Sequence, residues 1–195
     1  MPNHLLIDRK REFEILIDKY NAQDTAFSAQ KVKKLLIHGP SCSGKTVFAN
    51  QFINHLKTTQ QSKLQLPISN VTLFLQTDCE SSFLISLKSA AAKLEISKTD
   101  LDECMQSGSF SDGAFDEQCS VLIENIQERL SKHPGWVIVF DQLQSTSPNT
   151  VLDKLNSCIE DEENWSSGLF LVVADGVDPK KVAINNQSAI SLQKG

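Results

Sequence analysis

Eight consecutive residues constrain this chain more than any other stretch: Gly39-Pro40-Ser41-Cys42-Ser43-Gly44-Lys45-Thr46. They match the pattern GxxxxGK[ST], whose glycines let the backbone wrap closely around phosphate oxygens while successive N–H groups point inward. The flanks have the context the pattern requires. Lys33-Lys34-Leu35-Leu36-Ile37-His38 is a short apolar run predicting a buried strand. After the loop, Val47, Phe48, Phe52, Ile53 and Leu56 mark one face of a helix that ends in the polar segment Lys57 to Lys63, before Pro67. A strand leading through such a loop into a helix puts the positive end of the helix dipole on bound phosphate. All eight residues are therefore candidate nucleotide-binding positions, with Lys45 reaching the outer phosphates and Thr46 offering its hydroxyl to Mg²⁺.

The rest of the chain alternates in the same way. Phe13, Leu16, Ile17 and Tyr20 predict an amphipathic helix over residues 9–20, followed by a polar stretch from Asn21 to Gln30. Val71 to Thr77 is β-rich, and Leu84, Leu87, Ala91 and Leu94 repeat at helical spacing behind the junction Asp78-Cys79-Glu80. Ser97 to Gln118, rich in Ser, Gly and Asp, is expected as a long surface excursion. Leu122, Ile123, Ile126 and Leu130 then predict a helix from Cys119 to Lys132, closed by His133-Pro134-Gly135. Trp136 to Phe140 reads as a fully buried strand, Leu152, Leu155 and Ile159 as a helix, Leu169 to Val173 as another strand, and Ala189 to Leu192 as a short last one. Strands alternating with helices mean a parallel sheet covered on both faces.

A phosphate loop needs a second acid for the metal's water shell, and an apolar strand ending in one carboxylate is the usual supply. Asp141 meets that need, so Thr46 and Asp141 are the candidate metal residues and Asp141 also the first catalytic candidate. Gln142-Leu143-Gln144 follows, which leaves no neighbouring carboxylate to orient a water or take its proton. If the Val71 strand lies beside the Asp141 strand, Asp78 or Glu80 reaches the outer phosphate; the competing reading is that they merely start a helix. Glu80 is the second catalytic candidate. The arginines are Arg9, Arg11 and Arg129, with none after residue 129 to stabilise transition-state charge, so fast hydrolysis by this chain alone is not expected.

Composition narrows the partners. Hydrophobic residues make up 40% and charged residues 22%, as in an ordinary folded domain, and 195 residues suit a single core. A net charge of -5, with basic residues scattered, argues against nucleic acid as a partner. Five cysteines without CxxC or zinc spacing suit a reducing compartment, and no apolar run nears the roughly 18 residues of a membrane span. The expectation is a cytoplasmic protein, with the nucleus open and no membrane partner.

With the loop, the Asp141 strand and the helix ahead of both in hand, the chain resembles the NB-ARC branch of the signal-transducing STAND P-loop NTPases, which includes the apoptosome-type proteins. Leu6-Ile7-Asp8-Arg9-Lys10-Arg11-Glu12-Phe13 is similar to that family's lead-in, with Asp8 where glycine is usual. The resemblance implies that Ile7 and Arg9 lie near the nucleotide base. Trp136 to Asp141 resembles the Walker B strand, and Gly168 to Asp175 the strand that normally ends in a phosphate-sensing Thr-Thr-Arg or Thr-Ser-Arg; here Ala174-Asp175-Gly176 stands instead, and Gln142 replaces the usual second acid. The implied fold is a three-layer α/β P-loop NTPase of the additional-strand type, order 5-1-4-3-2. Residues 1–30 would be a lead-in helix and linker, and residues 31–195 the NTPase core. The family's helical lid and downstream domains have no counterpart before Gly195.

The resemblance implies a nucleotide-dependent signalling switch that holds ATP or ADP with Mg²⁺, hydrolyses slowly or not at all, and works with protein partners in a larger assembly, including a nucleotide-dependent oligomer. Three rivals stay open. An AAA+ subunit of the origin-recognition type shares the lead-in, the loop and the strand order. A small nucleotide kinase needs an arginine-rich lid, which the late chain lacks. A degenerate NTPase serving as a scaffold would keep the loop for stability.

Overall fold

The computed structural model describes residues 9–23, 32–59, 71–96 and 114–193. Its elements, in chain order, are α1 (Lys10–Ala22), β1 (Val32–Gly39), α2 (Lys45–Thr59), β2 (Thr72–Gln76), α3 (Glu80–Lys93), α4 (Ala114–Leu130), β3 (Trp136–Gln144), α5 (Asn149–Glu160), β4 (Gly168–Asp175) and β5 (Ala189–Ser191), with short 3-10 turns between the late elements. The strands form one sheet in the order β2-β3-β4-β1-β5, every pairing parallel. Read from its other edge this is 5-1-4-3-2, the order expected.

The period-two alternation of side chains along each strand divides the core in two. Leu73, Leu75, Ile138, Phe140, Phe170 and Val172 pack one face of the sheet against α3, α4 and α5. Leu35, Ile37, Val137, Val139, Leu171 and Val173 pack the other face against α1 and α2. Buried on both sides, β3 and β4 read as continuous apolar runs, as the central strands of a covered parallel sheet must. Each fully buried aliphatic side chain stabilises the fold by about 1.5–3 kcal/mol.

Three expectations need correction. The helix expected from Cys119 begins at Ala114, because Asp116 and Glu117 in its first turn suit the positive end of the helix dipole and Phe115 packs beside Phe83, 6.4 Å between ring centroids. Residues 97–113 of the expected excursion lie outside the described residues. Val47, placed by periodicity on the buried face of α2, is 46% exposed, since α2 buries Phe48, Ala49, Phe52, Ile53 and Leu56. The Asp141 strand does not end at Asp141: β3 continues to Gln144 through an irregularity between Phe140 and Leu143, where Gln142 takes φ 63° with its side chain exposed. The lead-in helix is present as α1, lying over β1 with Leu16 and Tyr20 buried. Among the described residues no helix is long and apolar enough to cross a membrane.

Candidate functional site

The loop between β1 and α2 is shaped by its backbone requirements. Gly39 has φ 149° and Gly44 φ 77°, while Cys42, with φ 62°, is a non-glycine residue in the left-handed region. Gly39 is obligatory for a second reason: a Cβ there would lie 2.1 Å from the carbonyl oxygen of Leu192, whose own N–H donates to the His38 carbonyl at 2.8 Å. The turn lets α2 begin at Lys45, and the first N–H groups of a helix have no intrahelical partners. Ser41, Cys42, Gly44 and Thr46 are exposed, Pro40 is half-buried and Ser43 is buried.

Lys45 is 4% exposed. Its ammonium donates to the carbonyl of Pro40 at 2.6 Å and to Ser43 Oγ at 3.1 Å, and pairs with the carboxylate of Asp175 at the end of β4. The parallel registry of β1 with β4 sets Gly39 opposite Asp175, which is how two residues far apart in sequence meet. Beside them His38, half-buried, has its pKa pushed down, chiefly by burial and then by the charge of Lys45.

The adjacent strand supplies the second acid. Asp141 Oδ1 accepts from Thr46 Oγ1 at 3.0 Å and from the N–H of Gln142 at 2.8 Å. The Asp141 carbonyl accepts from both the N–H (2.9 Å) and the hydroxyl (2.8 Å) of Thr77. These bonds hold the irregularity in β3 and aim the carboxylate at the start of α2. Burial raises the Asp141 pKa; the Thr46 hydroxyl and the Gln142 N–H oppose that rise, and the negative charge of Asp175 adds to it.

The strand order does put β2 beside β3, with Gln76 opposite Asp141. Asp78 follows that strand; its Oδ1 is buried with no hydrogen-bond partner, and its Oδ2 accepts a long bond from Ser82 at 3.4 Å. Glu80 opens α3, where its carboxylate accepts from Thr150 Oγ1 at the start of α5. Glu80 thus lies in the first turn of α3, where a negative charge suits the positive end of the helix dipole, although no side chain forms a capping hydrogen bond there. Arg9 donates to the Ser43 carbonyl at 2.6 Å and to the Gln193 carbonyl at 2.9 Å, which ties the lead-in to the loop and to the chain beyond β5. Ile7 lies outside the described residues. Asp175 joins the site although the spacing of the sequence does not mark it as a ligand. The signal was present in its position at the end of an apolar strand beside the loop strand.

Lys45, Thr46 and Asp141 thus converge on one loop. Among the described residues no group of three or more His, Cys, Asp and Glu is placed to hold a metal by itself. That fits Mg²⁺, which is commonly held by one or two protein oxygens together with phosphate and water, the oxygens here being those of Thr46 and Asp141.

The sequence matches the family model described as Nephrocystin 3, N-terminal, over residues 13–173, most of the chain. The chain belongs to the nephrocystin 3 N-terminal family. Among solved structures, this member of the nephrocystin 3 N-terminal family is similar to the Aeropyrum pernix ORC2 protein, determined as ADPNP–ADP complexes, with a TM-score of 0.52 and 16% identity over 95% of this chain. The chain spans 48% of that protein, so the likeness concerns fold. The Pif1 helicase from Candida albicans is more distant, with a TM-score of 0.40 and 12% identity, covering 99% of this chain and 40% of that one, too low to argue from. No curated protein matches the sequence. Together these findings establish a P-loop ATPase type of fold in a nephrocystin 3 N-terminal domain, and not the NB-ARC branch in particular.

Proposed function

We propose that this domain binds ATP or ADP with Mg²⁺ and acts as a nucleotide-dependent switch of the STAND type, close to the NB-ARC branch, with slow or absent hydrolysis of its own. The observation that carries the reading is the convergence of the Lys45 ammonium, the Thr46 hydroxyl and the Asp141 carboxylate on a loop built around Gly39 and Gly44. Lys45 would carry the outer phosphates, the backbone N–H groups from Ser41 to Thr46 would wrap the inner ones, and Thr46 with Asp141 would hold the metal and its water. Slow turnover follows from the site's acids and bases. Gln142 is an exposed amide, the Glu80 carboxylate is engaged by Thr150, and residues 130–195 contain no arginine.

A site of this kind signals when its two nucleotide states differ in the surface they present, so the function needs protein partners in a larger assembly. That the fold neighbour from Aeropyrum pernix was solved with ADPNP and ADP is consistent with adenine nucleotides here. The origin-recognition reading is not better favoured, since a net charge of -5 does not by itself attract a DNA backbone. Domain limits of 31–195 for the core, with residues 1–30 as lead-in, are part of the proposal, as is a cytoplasmic setting.

Calorimetric titration of ATP, ADP and GTP with Mg²⁺, followed by a phosphate-release assay on the same sample, tests the proposal. Binding of adenine nucleotide without multiple turnover is the expected result. Rapid multiple turnover by the purified chain overturns the switch with slow hydrolysis, and the lack of any nucleotide binding leaves the scaffold reading in its place.

A further inference from the structure

The nucleotide reading leaves one ionic contact unused: the ion pair between Lys45 and Asp175. Lys45 is 3% exposed at its side chain and Asp175 29%, so the pair lies at the inner wall of the loop and not on the open surface. Asp175 is held there by the strands on both sides. It stands opposite Gly39 in β1 and opposite Gln144 in β3, and the N–H of the following Gly176 donates to the Gly39 carbonyl at 3.1 Å. A second carboxylate, Asp141, approaches the same space from β3 through its bond to Thr46.

Resting on the nucleotide reading, we propose that Asp175 is a specificity-determining residue that makes the site favour a nucleoside diphosphate over a triphosphate. The loop's backbone N–H groups would enclose the phosphate nearest α2, and they would do so alike for both ligands. The outermost phosphate of a triphosphate must be met by the Lys45 ammonium, and Asp175 already shares that ammonium. A carboxylate tied to the lysine does two things to an incoming anionic group. It neutralises part of the charge that would hold the phosphate, and it opposes the added charge directly. A like charge a few ångströms from a phosphate in a partly buried site weakens binding by about ten- to a hundredfold. The diphosphate, whose charge is concentrated within the N–H cradle, is affected less.

The test is calorimetric titration of Mg²⁺ with ADP and with ATP into the wild-type chain, Asp175→Asn and Asp175→Ala, each variant checked for an unaltered cooperative melt. The wild type is expected to bind ADP at least tenfold more tightly than ATP. Asp175→Asn is expected to tighten ATP binding at least tenfold while moving ADP binding by less than about threefold, which closes the gap. Should Asp175→Asn fail to fold, Asp175→Ala and the wild-type ADP-to-ATP ratio still decide the matter. Equal wild-type affinities, an unchanged ratio in the variants, or weaker ATP binding on losing Asp175 each overturn the proposal; the last would place Asp175 in the metal's shell. Those outcomes leave nucleotide binding intact, whereas binding of neither ligand to the wild type overturns the nucleotide reading itself.

Discussion

Lys45, Asp141 and Gly39 carry three separate predictions, because each is constrained by a different force. Ligand that binds only the folded state stabilises it by mass action, about 2.7 kcal/mol at a hundredfold excess over Kd. Lys45→Ala should therefore lose the rise in melting temperature that saturating ADP or ATP gives the wild type, while the ligand-free melt stays cooperative; a shift of undiminished size would remove Lys45 from the site. Asp141 sets stability against function. Its folded pKa lies above the ordinary 3.8, mainly through burial, so its contribution to stability is present at low pH and is lost as pH rises through the folded value. At neutral pH the buried charge opposes folding, and Asp141→Asn should melt higher than the wild type without nucleotide. The gain should shrink as pH falls through the carboxylate range, and the variant should bind Mg²⁺-nucleotide more weakly. A lower melting temperature at neutral pH would contradict this. Gly39→Ala places a Cβ 2.1 Å from the Leu192 carbonyl at φ 149°, and should destabilise by about 2–3 kcal/mol in urea titration. A loss under about 0.5 kcal/mol, the range of ordinary surface substitutions, would show that β1 and the segment after β5 separate easily.

At the level of elements, the lead-in helix α1 packs into the hydrophobic cluster on one face of the sheet. Leu16 is fully buried, and Phe13 meets Phe48, Phe52 and His55 edge-on at 5.3–6.2 Å between ring centroids. Leu16→Ala should destabilise by about 2–4 kcal/mol with an unchanged denaturant slope. A second, independently melting transition in the wild type would instead make α1 a separate unit. How this helix would dock was legible only in part. Its apolar stripe is a local property and follows from spacing, but the Arg9 clasp on the Ser43 and Gln193 carbonyls joins positions on opposite ends of the sequence. The start of α4 differs from the expectation for a related reason. Residues 97–118 are loop-like by composition, yet Phe115 finds the α3 side of the core and brings the first turn into the helix. In β3, burial is continuous from Trp136 to Asp141 and returns at Leu143, while a single left-handed residue at Gln142 accompanies the shift in register, something no side-chain pattern announces.

For the whole molecule, the cysteines report folding. Cys119 and Cys158 are buried in one core cluster with their thiols pushed up to about 12, chiefly by burial. Cys42 is exposed on the loop, and Cys79 is partly exposed with its pKa lowered, first by the Ser81 hydroxyl and then by Ser82. Thiol alkylation near pH 8 followed by mass spectrometry should label Cys42 and Cys79 in the native protein and Cys119 and Cys158 only on global unfolding, and Mg²⁺-nucleotide should slow labelling at Cys42. Native labelling of Cys158 at the rate of Cys42 would mean that the α4–α5 layer opens on its own. The loop, the alternation of strands and helices and the parallel sheet were legible in the sequence itself, because they rest on a contiguous motif and on the repeat of apolar residues along one element; Lys45, Thr46 and Asp141 stand out as candidates on the same ground. The tertiary structure alone decided that Asp175 shares the Lys45 ammonium, that Thr77 and Thr46 hold Asp141 at an irregular turn of β3, and that Arg9 closes onto the loop. Those contacts join residues from separate strands and helices. Their partners are set by sheet order and register, which arise from packing the whole core and leave no spacing in the chain.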